Sequence, residues 1–178
     1  MLSLHHQTMS PERRAEIVGI LEQSRIAFQQ AVEAVPAERA LHRPAAEAWN
    51  PLEITEHVAV TEMGMFRMLG AAEPDENARE DRDREAIFTQ RIVSREKAVS
   101  APDRVKPTGR FATLGEALAQ FDQARQNTLE FARETEQDLF RVSAQHPFFG
   151  AINGYELLIV MAGHARRHAA QITQTVGL

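Results

Sequence analysis

Cysteine is missing from the 178 residues. The chain can therefore form no disulfide, has no thiolate nucleophile of its own and cannot build a cysteine-based zinc site; a metal would have to be held through nitrogen and oxygen. Long apolar runs are missing too. No stretch approaches the roughly 20 residues that cross a bilayer, so no membrane partner is expected. The opening Met1-Leu-Ser-Leu-His-His-Gln lacks a basic region followed by a long apolar one, so no signal peptide is expected and the chain is read as cytoplasmic. Excess positive charge is also absent: the formal charge is -5, where a nucleic-acid binder would concentrate Lys and Arg on one face. No nucleic-acid partner is expected. What remains, 43% hydrophobic and 25% charged residues, is ordinary for a globular protein, and the length suits a single domain over 1–178.

Helical signals dominate what is present. Ser10-Pro11-Glu12 offers an N-cap, a proline at the first helical position and an acid at the positive end of the dipole. Ile17, Ile20, Leu21, Ser24, Phe28 and Ala31 continue at three- and four-residue steps, predicting a helix from about Ser10 to Val35. Asn50-Pro51-Leu52-Glu53 predicts a second helix to about Leu69 through a capping-box arrangement. Its inward stripe reads Ile54, His57, Val58, Thr61, Met65 and Met68. A third is expected over Thr113–Leu139, opened by Thr113 and Glu116, with Arg125 at the margin of its apolar face. A fourth opens at Asn153 with Glu156 three residues on and ends at Gly177.

Between the second and third helices lies a long crossover. Glu73–Glu85 holds seven acids against three arginines and reads as a solvated segment without chemistry; a short helix is expected over Glu85–Glu96. A crossover of this length lets the helices it joins run parallel. Phe140–Ile152 reads as an irregular connector, with His146 before Pro147 in a turn and His42 in a solvated loop. With no sustained alternation anywhere, the fold class is all-α: a four-helix bundle with a long crossover between helices two and three.

The chemistry centres on the last helix. In His164-Ala165-Arg166-Arg167-His168 the two histidines lie one turn apart on one face, on the stripe of Leu157, Met161, Ile172 and Val176. His57 is a third histidine on an inner stripe, on a different helix. Buried imidazoles need partners for their ring nitrogens. Two readings are open: core histidines satisfied by hydrogen bonds, or three neutral imidazoles that converge as a metal site with a free position, suited to Zn²⁺ or Ni²⁺. Around them Trp49 could border a pocket or staple the helix start. Arg167 could meet an anion or form a surface ion pair. Gln171 could orient a ligand or simply bond across the bundle. Thr61 is a candidate partner for an imidazole N–H, and Glu56, which points elsewhere on its helix, is a weaker one.

The run Trp49-Asn50-Pro51-Leu52-Glu53-Ile54-Thr55-Glu56-His57 resembles the Trp-(Ser/Thr/Asn)-x-x-Glu-hydrophobic-x-x-His signature of the DinB-like superfamily. His146-Pro147-Phe148-Phe149-Gly150 and His164-Ala-Arg-Arg-His168-Ala-Ala-Gln171-Ile172 are similar to its closing motif. The resemblance follows the helix order through nearly the whole chain, although only these two blocks are specific. It implies a four-helix bundle with a long crossover, a divalent metal held at the positions of His57, His164 and His168, and frequent homodimers. Thiol-dependent enzymes, bacillithiol transferases and mycothiol-dependent isomerases among them, belong to the family or lie close to it.

From these readings the expected function is a metal-dependent enzyme acting on a small-molecule substrate, a thiol S-transferase or a hydrolase. Zinc or nickel would be the cofactor, and any thiol would be a separate low-molecular-weight molecule. No residue stands out as a general base. The alternative is a non-catalytic bundle that binds metal or ligand and acts through dimerisation.

Overall fold

The computed structural model describes residues 8–95 and 100–177. The opening segment Met1–Gln7 and Glu96, the expected end of the crossover helix, lie outside them. Five helices carry the fold: α1 (Pro11–Glu33), α2 (Pro51–Gly70), α3 (Arg82–Val93), α4 (Leu114–Glu134) and α5 (Gly154–Val176). Among the described residues no helix is long and apolar enough to cross a membrane.

The local signals act as the sequence predicts. Ser10 accepts the Arg13 N–H at 3.3 Å. Asn50 with Glu53, and Asn153 with Glu156, form reciprocal capping boxes. Helix α4 departs in detail: Thr113 Oγ1 accepts the Glu116 N–H, but the Glu116 carboxylate reaches back to the Ala112 N–H. It also stops at Glu134, five residues before the expected Leu139. Thr135 turns extended there, and its hydroxyl accepts the Gln137 N–H at 3.2 Å, offering the backbone a turn in place of another helical bond.

Helices α1, α2, α4 and α5 form the bundle. Helix α2 runs parallel to α4, since Glu62 pairs with Arg125 and Phe66 with Phe131 in ascending order. Helix α1 runs antiparallel to α4, joining Arg14 to the Ala132 carbonyl and Gln29 to Asp122. The long crossover thus delivers the parallel pair. On its way α3 crosses α5 at Gly163, where a Cβ would lie 2.1 Å from Ile92 Cγ2. Only a glycine lets the two helices meet so closely.

The apolar interior falls into two clusters. One gathers Ile17, Leu21, Met65, Leu69, Leu129 and Leu157; the other Phe28, Val58, Phe121, Ala165, Ile172 and Val176. Between them on every bundle helix lies a polar layer built on Arg125. Expected at the margin of its helix, Arg125 is instead wholly buried, at 0% exposure. Its five N–H donors reach the Glu62 carboxylate twice (2.6 and 2.9 Å), the Leu21 carbonyl, Ser24 Oγ and the Met161 carbonyl. That is the full donor set of a guanidinium, spent on one side chain from α2 and groups of α1 and α5.

Two further expectations are corrected. The connector after α4 is not irregular: Val142–His146 (β2) pairs antiparallel with Gly150–Asn153 (β3), and Glu73–Pro74 (β1) joins the other edge of β2. Strands this short show no alternation to read. Gly150, at φ +69, closes the three-residue turn Pro147–Phe149 in a conformation that favours glycine. The acid-rich run, read as solvated throughout, also buries one member: the Glu85 carboxylate receives Arg13, whose guanidinium lies 4.1 Å from the centre of the Tyr155 ring. The fold class itself stands, the small sheet being an addition to a helical bundle.

Candidate metal centre

Helices α2 and α5 bring His57, His164 and His168 together. One ring nitrogen from each lies within 4.8 Å of the other two, and His57 Nε2 is 3.1 Å from His164 Nε2. His57 and His168 are buried, while His164 keeps partial exposure toward a cleft.

Hydrogen bonds decide which nitrogens face inward. His57 Nδ1 donates to the Val105 carbonyl at 2.8 Å, so its proton sits on Nδ1 and its lone pair on Nε2. Thr61 Oγ1 lies farther from the same nitrogen, at 3.4 Å. His168 Nδ1 donates to Gln171 Oε1 at 2.8 Å, which turns its Nε2 lone pair free as well. Gln171 and the Val105 carbonyl thus hold these two imidazoles by their outer nitrogens, the place outer partners take in histidine metal sites.

Two imidazole nitrogens 3.1 Å apart need a proton or a cation between them. The distance is close to the roughly 3.3 Å edge of a tetrahedron whose metal–nitrogen bonds are about 2.0 Å. Burial lowers the pKa of His57, opposed by its bond to Val105. Burial, then the charges of His168 and His57, holds His164 well below its ordinary value. Burial and His57 push His168 down to about 3. The three are thus neutral at physiological pH, the form that donates a lone pair to a metal. The donor set fits a divalent transition ion.

The cluster opens onto a cleft of about 1260 Å³. Trp49, read as pocket border or staple, lines it with its ring 4.9 Å from that of His57. The turn between β2 and β3 forms another wall. His146 therefore faces the cleft, a placement the proline after it did not reveal. Its Nδ1 accepts the Phe148 N–H at 3.2 Å, so the ring proton lies on Nε2. Burial, and then the charge of Arg104, lower its pKa to about 4.

Other candidates fall elsewhere. Glu56 touches no imidazole; its carboxylate receives the Thr108, Gly109 and Arg110 N–H groups and the Arg110 guanidinium, pinning the crossover to α2. Burial alone would raise its pKa, but these donors hold it below the usual carboxylate range. Arg167 lines the cleft and does not stand apart on the surface. His42 lies in the connector before α2 and does not line the cleft.

Comparison with known proteins bears on the family and the fold. The family model described as the DinB superfamily matches residues 20–172. The chain is similar to the uncharacterized protein YuaE of Bacillus subtilis (strain 168), 22% identical over 158 residues that make up 88% of this chain and 95% of that one. Among solved structures it is similar to YfiT from Bacillus subtilis. The TM-score is 0.60 at 18% identity, over 95% of this chain and 89% of that chain. YfiT is described as a probable metal-dependent hydrolase with an unusual four-helix bundle topology.

Proposed function

The chain belongs to the DinB superfamily, and from that premise we propose that it is a metal-dependent enzyme acting on a small molecule, with His57, His164 and His168 holding one divalent ion. The observation that carries the reading is the pair of Nδ1 tethers. With Val105 and Gln171 holding His57 and His168 by the outer nitrogen, both Nε2 lone pairs are aimed at a common point beside His164. A hydrogen-bonded core pair would need no such alignment. Nitrogen-only ligation by three neutral imidazoles favours zinc or nickel.

A metal in this position supplies Lewis acidity, which makes a weak nucleophile such as water or a thiol reactive at neutral pH. The chain's own groups do the positioning. His146, neutral and protonated on Nε2, offers an N–H donor to a substrate oxygen and is poorly placed to accept a proton there. Trp49, Phe148 and Phe149 wall the cleft beside the histidines. Hydrolysis is the first reaction to test, in line with the description of YfiT. Transfer to a low-molecular-weight thiol is the second; the thiol would come from outside, since the chain has no cysteine. A homodimer in the cytoplasm belongs to the same reading.

Elemental analysis of tag-free protein tests the centre: about one zinc or nickel per chain is expected, lost in the His57/His164/His168 triple alanine variant. Retention of the metal by that variant would remove the assignment. Turnover of ester or amide substrates against thiol acceptors then separates hydrolase from transferase. A loaded protein inert to both favours the non-catalytic alternative, and sedimentation velocity reads the dimer.

A further inference from the structure

The cleft carries a charge opposite to that of the protein. The whole chain has a formal charge of -5, yet among the described residues six cations line the cleft, Arg67, Arg91, Arg95, Arg104, Lys106 and Arg167, against one acid, Glu47. Lys106 is paired, 2.7 Å from Asp103. Arg67, Arg91, Arg95 and Arg104 form no ion pair with a carboxylate of the described residues. These cations do not come from one run of sequence. They arrive from α2, from α3 and the residues after it, from the segment before α4, and from α5, so the fold gathers them.

Such gathering is electrostatically unfavourable in itself. Like charges drawn into one cleft repel one another, and a divalent ion at the histidines would add to the repulsion. The same field concentrates anions in the cleft. Much of the remaining wall is apolar, with Met65, Met68, Ile92 and Val160 beside the aromatic turn. A ligand that satisfies both parts has an apolar body and a charged end.

We propose that the cleft binds a small molecule bearing an oxyanion, a carboxylate or a phosphate, on an apolar body, with Arg95 and Arg167 receiving the anion beside the histidine cluster. This deepens the proposed function by naming its substrate class and rests on that reading for the role of the histidines; the basic lining stands without it. A cleft bounded on several sides, and not an open basic face, favours a small molecule over a nucleic acid strand.

The protein contains its own reporter, because its one tryptophan is Trp49 in the cleft wall. Trp49 fluorescence is titrated with benzoate, phenyl phosphate and benzamide in chelator-treated protein, so that no metal can take the anion directly. Benzoate or phenyl phosphate is expected to bind saturably, at least about tenfold more tightly than benzamide, and to weaken as sodium chloride is added. The tighter of the two anions identifies the oxyanion. Arg95→Gln is expected to weaken binding about tenfold, with Arg95→Lys retaining part of it; Arg95 is exposed, so neither change threatens the fold. Equal binding of benzamide and benzoate, an Arg95→Gln affinity equal to the parent's, or displacement of benzoate by a single-stranded oligonucleotide at lower concentration would each overturn the proposal. Zinc content of the same preparations, measured before chelator treatment and again after zinc is restored, reports separately on the histidines: anion binding by a protein that takes up no metal breaks the proposed function alone, and metal uptake without anion preference breaks this inference alone.

Discussion

Two polar clusters interrupt the apolar interior, and they are built on opposite terms. Around Arg125 every donor has an acceptor, the opposite charge of Glu62 is supplied at two points, and groups of all four bundle helices take part. Around His57, His164 and His168 three imidazoles converge with no anion among them, and the proton donors of His57 and His168 face outward. The first cluster is closed and resembles mortar between two apolar layers. The second is open to one more positive centre. Burial of polar groups is thus no sign of function in itself; what sets the histidine cluster apart is that no opposite charge is supplied to it.

The largest way to break this contrast is Arg125→Leu, which leaves Glu62 charged and buried without its partner. A loss of about 3–5 kcal/mol in denaturant unfolding is expected, and the double variant Arg125→Leu/Glu62→Leu should recover much of it. A single-variant loss within the scatter of surface changes would mean that the layer is not closed. By contrast, His164→Ala should change the metal-free stability by only about 1 kcal/mol, because the side chain borders a cleft.

Metal addition sharpens the comparison from the other side. Zinc or nickel at 100 times its dissociation constant should stabilise the parent by about 2.7 kcal/mol and His164→Ala hardly at all. Equal thermal shifts in the two proteins would show adventitious binding. Next in size, Gln171→Ala should lower metal affinity about 10- to 100-fold in a competition titration while the helical circular dichroism is unchanged. An unaltered affinity would strip Gln171 of its orienting role.

The most gradual effect is on pH. His168 and His146 are held near 3 and 4 in the folded protein, against 6.5 ordinarily. Below pH 6.5 the unfolded chain takes up protons that the folded one refuses. The contribution is therefore complete above pH 6.5 and lost as pH falls toward about 4 for His146 and about 3 for His168. Denaturation midpoints of chelator-treated protein at pH 7.5, 6 and 5 should descend in that order. A flat series would contradict the burial assigned to these rings.

What was legible in the chain was written locally. Asn50 with Glu53 and Asn153 with Glu156 announce their helices within four residues, and the i, i+4 spacing of His164 and His168 places both on one face. His57 could be put on an inner stripe by the same periodicity. The pairings that complete the picture are distant. Arg125 and Glu62 lie 63 residues apart, and nothing in the spacing of either helix says that an arginine between Ala124 and Gln126 will be drawn inward by a partner elsewhere. Arg13 and Glu85 repeat the lesson over 72 residues. The basic lining of the cleft was hidden by averaging: its cations come from several separate segments, and the net acidity of the chain conceals their convergence. His146 was misplaced because two strands of four and five residues carry too little pattern to announce a hairpin.

Adjacent residues of α2 hold the segment that precedes α4: Glu56 grips Thr108–Arg110, and His57 takes its orientation from Val105. The remaining histidines arrive 107 and more residues after His57. During translation the centre is therefore unfinished twice over, first for want of the carbonyl that aims one imidazole, then for want of the helix that carries the other two. Under the proposed function, metal uptake at the centre would report on both: a fragment ending before Gly154 has one of the three imidazoles to offer, and a chain holding an ion there has both delivered α5 and docked its crossover.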